Sequence, residues 1–90
     1  MDQIVGADVR LEPDVEWDGT CLLVWADTGR GRVRCDIPRD TIHALPPFSD
    51  AIGREILRDR AEIVERMRPV LLRRIARGGH DVIRIDPEDL

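Results

Sequence analysis

Apolar and polar residues alternate most cleanly in residues 32–37. There Val33, Cys35 and Ile37 fall on one side of an extended chain, and Arg32, Arg34 and Asp36 on the other. Just upstream, residues 21–26 (CLLVWA) are rich in strand formers, and residues 27–31 (DTGRG) supply the glycines that a tight reversal needs. A two-residue turn at Gly29-Arg30 pairs Val24 with Cys35 and Trp25 with Arg34. Leu22, Val24, Ala26, Val33, Cys35 and Ile37 then share one core-seeking face. A loop one residue longer or shorter flips every side chain of the first strand.

The flanking pattern is less regular. Residues 7–17 (ADVRLEPDVEW) predict a weaker strand interrupted by Pro13 and placed at an edge, and Asp18-Gly19 turns the chain into the main hairpin. In residues 38–45 (PRDTIHAL), Pro38 suits a first helical turn, Ile42 and Leu45 lie three apart, and Pro46-Pro47 ends the helix. Residues 49–79 predict one long helix, with Ser49 or Asp50 as N-cap and Gly78-Gly79 as C-cap. Ile52, Ile56, Leu57, Ile63, Val64 and Met67 cover one arc of about 140° on its wheel. Pro69 removes a hydrogen bond inside that run, which predicts a kink or break over residues 65–69. Residues 81–86 (DVIRID) alternate as a closing strand before a short acidic tail. The expected fold is therefore α+β in the order β-β-β-α-α-β. A small antiparallel sheet carries a short helix and a long, Pro-kinked helix on one face.

The residues that carry this order also carry a resemblance. Trp17-Asp18 stands before the hairpin, Cys35 and Ile37 in its second strand, and Leu45 at the end of the short helix. Arg60 and Ile63 lie in the long helix, and an apolar strand lies near the C-terminus. In these positions the chain resembles the small bacterial proteins of domain of unknown function family 1488, over nearly its whole length. The resemblance implies a small sheet with helices on one side, and it implies no function.

Composition narrows the picture. The 90 residues fit a single domain spanning 1–90. A chain of this size buries only about 60–65% of its unfolded surface, enough for one thin core. No apolar run approaches the ~20 residues needed to span a bilayer. The N-terminus carries acids before its first arginine and lacks a long apolar stretch, which speaks against a secretory signal. Together with only two cysteines, this places the expected location in the cytoplasm, with both thiols free. All 14 basic residues are arginine, a pattern read first as the coding bias of a GC-rich bacterial genome. The net charge of −4 argues against broad non-specific affinity for nucleic acid. Residues 1–53 carry a net −5 and residues 54–90 a net +1, so the asymmetry is mild.

The residues that could carry chemistry each fit an ordinary structural role. Cys21, Cys35, His43 and His80 lack the close Cys and His pairs of a zinc site, and no metal or cofactor is expected. Cys35 is placed among core residues of a strand, with His43 a turn or more into the next helix, so no cysteine nucleophile is expected. The glycines lie in a hairpin turn and after a helix, not between a strand and a helix N-terminus, so they make no phosphate loop. Nothing reads as an enzyme.

Three contact candidates remain. Arg60 falls inside the apolar arc, where a guanidinium must be paired; a structural ion pair, or an arginine reaching water, is favoured over an anion or ligand site. Arg66, Arg73 and Arg77 form a stripe that offsets the helix dipole, with Glu62 to Arg66 in the favourable orientation. Its functional reading is RNA, DNA phosphate or an acidic partner protein, and the scarcity of aromatic residues gives base stacking little support. Trp25 opposite Arg34, away from the core face, is the best contact surface. With Leu23 it makes a patch that a protein partner or a second copy would cover, or that flanking helices would cover themselves. The expected function is a non-enzymatic protein-interaction module, self-association included. A nucleic-acid accessory protein using the stripe is one alternative, and a small anionic-ligand binder at Arg60 the other.

Overall fold

The computed structural model of the chain describes residues 9–78 and 81–90. The expected cap at Gly79, the His80 ligand candidate and residues 1–8 lie outside the described residues. Two short strands, β1 (Arg10–Leu11) and β2 (Glu16–Trp17), precede the long hairpin of β3 (Cys21–Thr28) and β4 (Gly31–Pro38). Helices α1 (Arg39–His43), α2 (Gly53–Arg58) and α3 (Arg60–Arg77) follow, then β5 (Val82–Arg84) and a 3-10 turn at Pro87–Asp89. The fold class is α+β, as the pattern predicted. Two features differ from expectation. The strand around Pro13 is two separate strands, both paired antiparallel to β3, because proline cannot donate to the ladder at that point. The sheet is mixed, since β5 joins β4 in parallel after a crossover through the helices.

The hairpin register is the one the alternation requires. Val24 pairs with Cys35 and Trp25 with Arg34, across a two-residue turn at Gly29-Arg30 closed by the Thr28–Gly31 pair. Thr28 Oγ1 donates to the Gly31 carbonyl at 2.7 Å and accepts from the Arg30 N–H at 3.1 Å, so the turn holds itself with its own side chain. Gly31 sits at φ 126°, a region that L side chains rarely adopt. At the other end Asp18 Oδ1 accepts from the Thr20 and Cys21 N–H groups at 2.8 and 2.7 Å, which fixes the entry into β3. Those two backbone donors hold the Asp18 carboxyl below its ordinary range.

One face of the sheet builds the core. Leu22, Val24, Ala26, Cys35, Ile37, Ile83 and Ile85 join Ile42 of α1, Ile56 of α2, and Ile63, Val64, Met67, Leu71 and Ile75 of α3 in a single buried cluster. Burial of this apolar area, at about 25 cal/mol per Å², is the main term stabilising the fold. Thr41 is buried among these side chains and donates its hydroxyl to the Ile85 carbonyl at 2.7 Å, which ties α1 to the end of the sheet. Trp17 packs on the same side, and its indole leaves no room for a Cβ on Gly53, where one would lie 2.9 Å from Nε1. Glycine at that position therefore lets α2 approach β2.

The helical run departs from expectation in three places. The helix begins at Gly53, not beside Ser49 or Asp50; the Ile52 N–H is held by Glu55 Oε1 at 3.0 Å. The break lies at Asp59, whose backbone (φ −102°, ψ 18°) leaves helical geometry, and not near Pro69. Helix α3 runs through Pro69 unbroken. Pro69 and Glu65 are both exposed, so the carbonyl that loses its partner faces water. Because the phase is reset at Asp59 and α2 begins only at Gly53, the single arc drawn over both halves does not hold: Ile52 and Leu57 are 51% and 43% exposed. At its end, Gly78 caps α3 with φ 69° and its N–H on the Ile75 carbonyl at 2.9 Å.

Gly31→Ala tests the turn in isolation, because an added Cβ there meets nothing within 4 Å. The expected cost is backbone strain alone, about 1–3 kcal/mol. Urea unfolding should show a lower midpoint with an unchanged slope.

Candidate interaction surface

Side chains that point away from the helices are set by the same register. Across the open face three rungs run from β1 and β2 to β5. The first holds Arg10, Asp27 and Arg32. The second holds Glu12, Trp25, Arg34 and Val82, with Glu12 joined to the rung by its N–H on the Trp25 carbonyl at 2.8 Å. The third holds Glu16, Leu23, Asp36 and Arg84. Leu23, Trp25 and Val82 take no part in the core cluster, and none of the described helices contributes residues to this side. Of the two readings left open for the Leu23 and Trp25 patch, the helices do not flank the sheet among the described residues.

Trp25 is half-buried because arginines lie on it. The Arg32 guanidinium stands 4.1 Å from the ring centroid and that of Arg34 5.8 Å. Such contacts contribute about 0.5–1 kcal/mol each at exposed sites. Arg32 is anchored by a two-point pair with Glu12, both bonds at 2.8 Å, which spans the rung over the indole. Arg34 makes a second two-point pair with Asp36, at 2.7 and 3.0 Å. The Arg32 hydrogen bond, ahead of its charge, holds the Glu12 carboxyl below its ordinary range, and Asp36 in the same way raises Arg34. Charged planar groups fixed over an aromatic ring suit binding and offer no proton transfer near pH 7. Arg32 and Glu12 were not singled out in the sequence. Their signal was present, since Arg32 lies diagonal to Trp25 once the register is drawn.

The other candidates sit elsewhere. Arg60 is exposed, not inside the apolar arc, and its Nη1 donates to the Leu57 carbonyl at 2.7 Å. The break at Asp59 moved it out of the arc; it has a water-facing head and no buried partner. Arg66 donates to the Pro46 carbonyl at 3.2 Å and lies 3.4 Å from Glu62. Arg73 donates to the Asp89 carbonyl at 2.6 Å. Its neighbour Arg74 bonds the Asp89 carboxylate at 2.6 Å and the Arg84 carbonyl at 3.1 Å. Two cations of the last turns of α3 thus hold the C-terminal turn against β5, while Arg77 remains exposed. The stripe is not brought together with Trp25 and Arg34.

Cys35 is fully buried, and burial, aided by the charge of Asp36, pushes its thiol from 9.0 up to about 11. Cys21 lies on the opposite face of the sheet, also buried, with its thiol raised by burial and then by Asp18. His43 donates from Nε2 to the Ala51 carbonyl at 2.9 Å and holds the loop after α1. Among the described residues no three His, Cys, Asp or Glu side chains cluster as metal ligands. A depression of about 260 Å³ beside Pro47, Phe48 and Ala51 opens to solvent. Of its carboxylates, Glu55 is engaged by the Ile52 N–H and Asp59 by Arg58. No helix among the described residues is long and apolar enough to cross a membrane.

No protein-family model matches the chain, and no curated protein and no solved structure matches it either. The resemblance to family 1488 therefore rests on residue order and spacing.

In a Cys21→Ser variant, Cys35 should react slowly with a thiol reagent in native protein at about pH 8 and quickly in denaturant. Its folded-state shift is upward, so the stability it lends is fully present below 9.0 and is lost as pH rises through about 11. Fast native labelling would contradict the burial.

Proposed function

We propose that the chain is a non-enzymatic protein-interaction module of the bacterial cytosol, which engages a protein partner through the open face of its sheet around Trp25. The observation that carries this reading is the one-sided packing. Leu23, Trp25 and Val82 lie on a face with no described helix over it, whereas the other large apolar strand residues, Leu11, Trp17, Leu22, Val24, Val33, Ile37 and Ile83, belong to the core or pack against it. An aromatic residue framed by fixed arginines has the composition of an interface anchor, where Trp and Arg are enriched.

The two alternatives draw less support. A nucleic-acid site on α3 needs cations free to meet phosphates, and Arg66 and Arg73 are bonded to protein carbonyls. An anion site at Arg60 needs convergent donors, and the guanidinium there is exposed on a helix start.

Capture from lysate of the host, with and without nuclease and with three baits, separates these readings. The wild type and an Arg77→Glu variant, whose arginine is exposed on the stripe, should retain the same protein, and Trp25→Glu should lose it, with circular dichroism unchanged in all three. Retention unaffected by Trp25→Glu, or a haul that disappears with nuclease, would contradict the proposal.

A further inference from the structure

We propose that the partner of the open face is a second copy of this chain, docked face to face about a twofold axis that runs parallel to the strands between β3 and β4. The inference rests on the reading of this face as a docking surface, and names its occupant. Its ground is the distribution of charge over the three rungs. Arg10, Glu12, Glu16 and Asp27, on the β1, β2 and β3 side, sum to −2, while Arg32, Arg34, Asp36 and Arg84, on the β4 and β5 side, sum to +2. Asp86, just beyond β5, pairs with Arg84 at 3.0 Å and brings that side to +1, so the charge still runs from negative at one edge to positive at the other.

Two sheets packed face to face align their strands to within about 30°. Two twofold axes in the plane of contact meet that condition, and the rungs discriminate between them. An axis along the strands keeps each rung opposite itself and exchanges β1 and β2 with β5, and β3 with β4. Glu16 then faces Arg84 of the copy, Asp27 its Arg32 and Trp25 its Arg34, while Leu23 meets its Asp36 and Glu12 its Val82; no like charges are opposed. An axis across the strands, through the middle rung, instead sets Glu12 against Glu12 and Arg34 against Arg34, and like charges juxtaposed at an interface are strongly unfavourable. The first arrangement is self-complementary in the sense a twofold interface requires.

Size and order agree. Strands β3 and β4 run eight residues each, β1 and β2 together flank about six of them, and β5 adds three. At about 4.8 Å between strands and about 3.3 Å per residue, the face is on the order of 400 Å² per copy. About 800 Å² in total is smaller than a standard specific interface, which sets the expectation of a weak dimer, with a dissociation constant of about 100 µM or above. The two-point pairs of Arg32 with Glu12 and Arg34 with Asp36 already hold the long side chains in place. Less conformational entropy is then lost on docking.

Glu16 and Arg84 give the sharpest test, because both are exposed and they stand three strands, about 14 Å, apart in one copy. At that distance a direct interaction within one chain is largely screened by salt. Sedimentation equilibrium from about 1 µM to about 1 mM should show a monomer–dimer equilibrium for the wild type. Glu16→Arg and Arg84→Glu should each weaken it by about tenfold or more, and the double exchange should return it to within about threefold of the wild type. Circular dichroism and unfolding midpoints confirm that each variant is folded. A wild-type monomer throughout, a dimer indifferent to both single changes, or a double exchange no better than the singles would each overturn the proposal. A monomer that still loses its captured protein on Trp25→Glu would overturn only the second copy as occupant and leave the docking face standing.

Discussion

The register of the β3–β4 hairpin is the constraint on which the rest of this structure depends. Val24 opposite Cys35 sends Leu22, Val24, Ala26, Cys35 and Ile37 to the helices and Leu23, Trp25, Arg32, Arg34 and Asp36 to the other side. Because side chains alternate with a period of two, a slip of one residue in one strand would bury arginine or expose the core, so intermediate solutions do not exist. The turn that fixes this register is small and self-contained, with Thr28 bonded on both sides and Gly31 in a conformation that other residues reach only under strain.

From that register the two faces acquire different chemistry. The inner face is closed by apolar residues of three helices and by Cys35, whose thiol burial pushes up to about 11. The outer face is a lattice of opposite charges around one indole, held by two-point pairs within a single chain. Such a lattice puts charged side chains on a sheet face that no described helix covers, and its pairs hold those side chains in place. The C-terminal turn belongs to the closed side, where Arg73 and Arg74 hold Asp89. Their partners explain why an arginine-rich helix end need not be a phosphate site.

The sequence was legible where short-range rules act alone. Alternation and a glycine-bearing turn lead to the hairpin pairing with the loop length open by one residue; the two-residue turn closed by Thr28 and Gly31 settles it, and with it the opposite orientations of Cys21 and Cys35 and the outward placement of Trp25. It was misleading where a conspicuous residue and an ordinary one competed. Pro69 announces a break and makes none, because its missing hydrogen bond falls on the watery side of α3. Asp59 announces nothing and breaks the helix, which moved Arg60 and Leu57 out of the core; Ile52 is exposed because α2 begins only at Gly53. The direction of β5 and the bonds from α3 to Asp89 are set by contacts between distant segments, and three residues of strand carry no mark of parallel or antiparallel pairing. The partners of Arg32 were readable only once the register and the course of β1 were both known.

The central claim is that Trp25 lies on a face left open by the chain's own helices, and fluorescence quenching tests it most directly. In a Trp17→Phe variant Trp25 is the only indole, since the chain has two tryptophans. Acrylamide should reach it readily in dilute protein, at a rate between those of an exposed and a buried indole, and progressively less as the protein is concentrated. Quenching as slow at high dilution as for a core tryptophan would mean that the face is covered within one chain, and the account would fail.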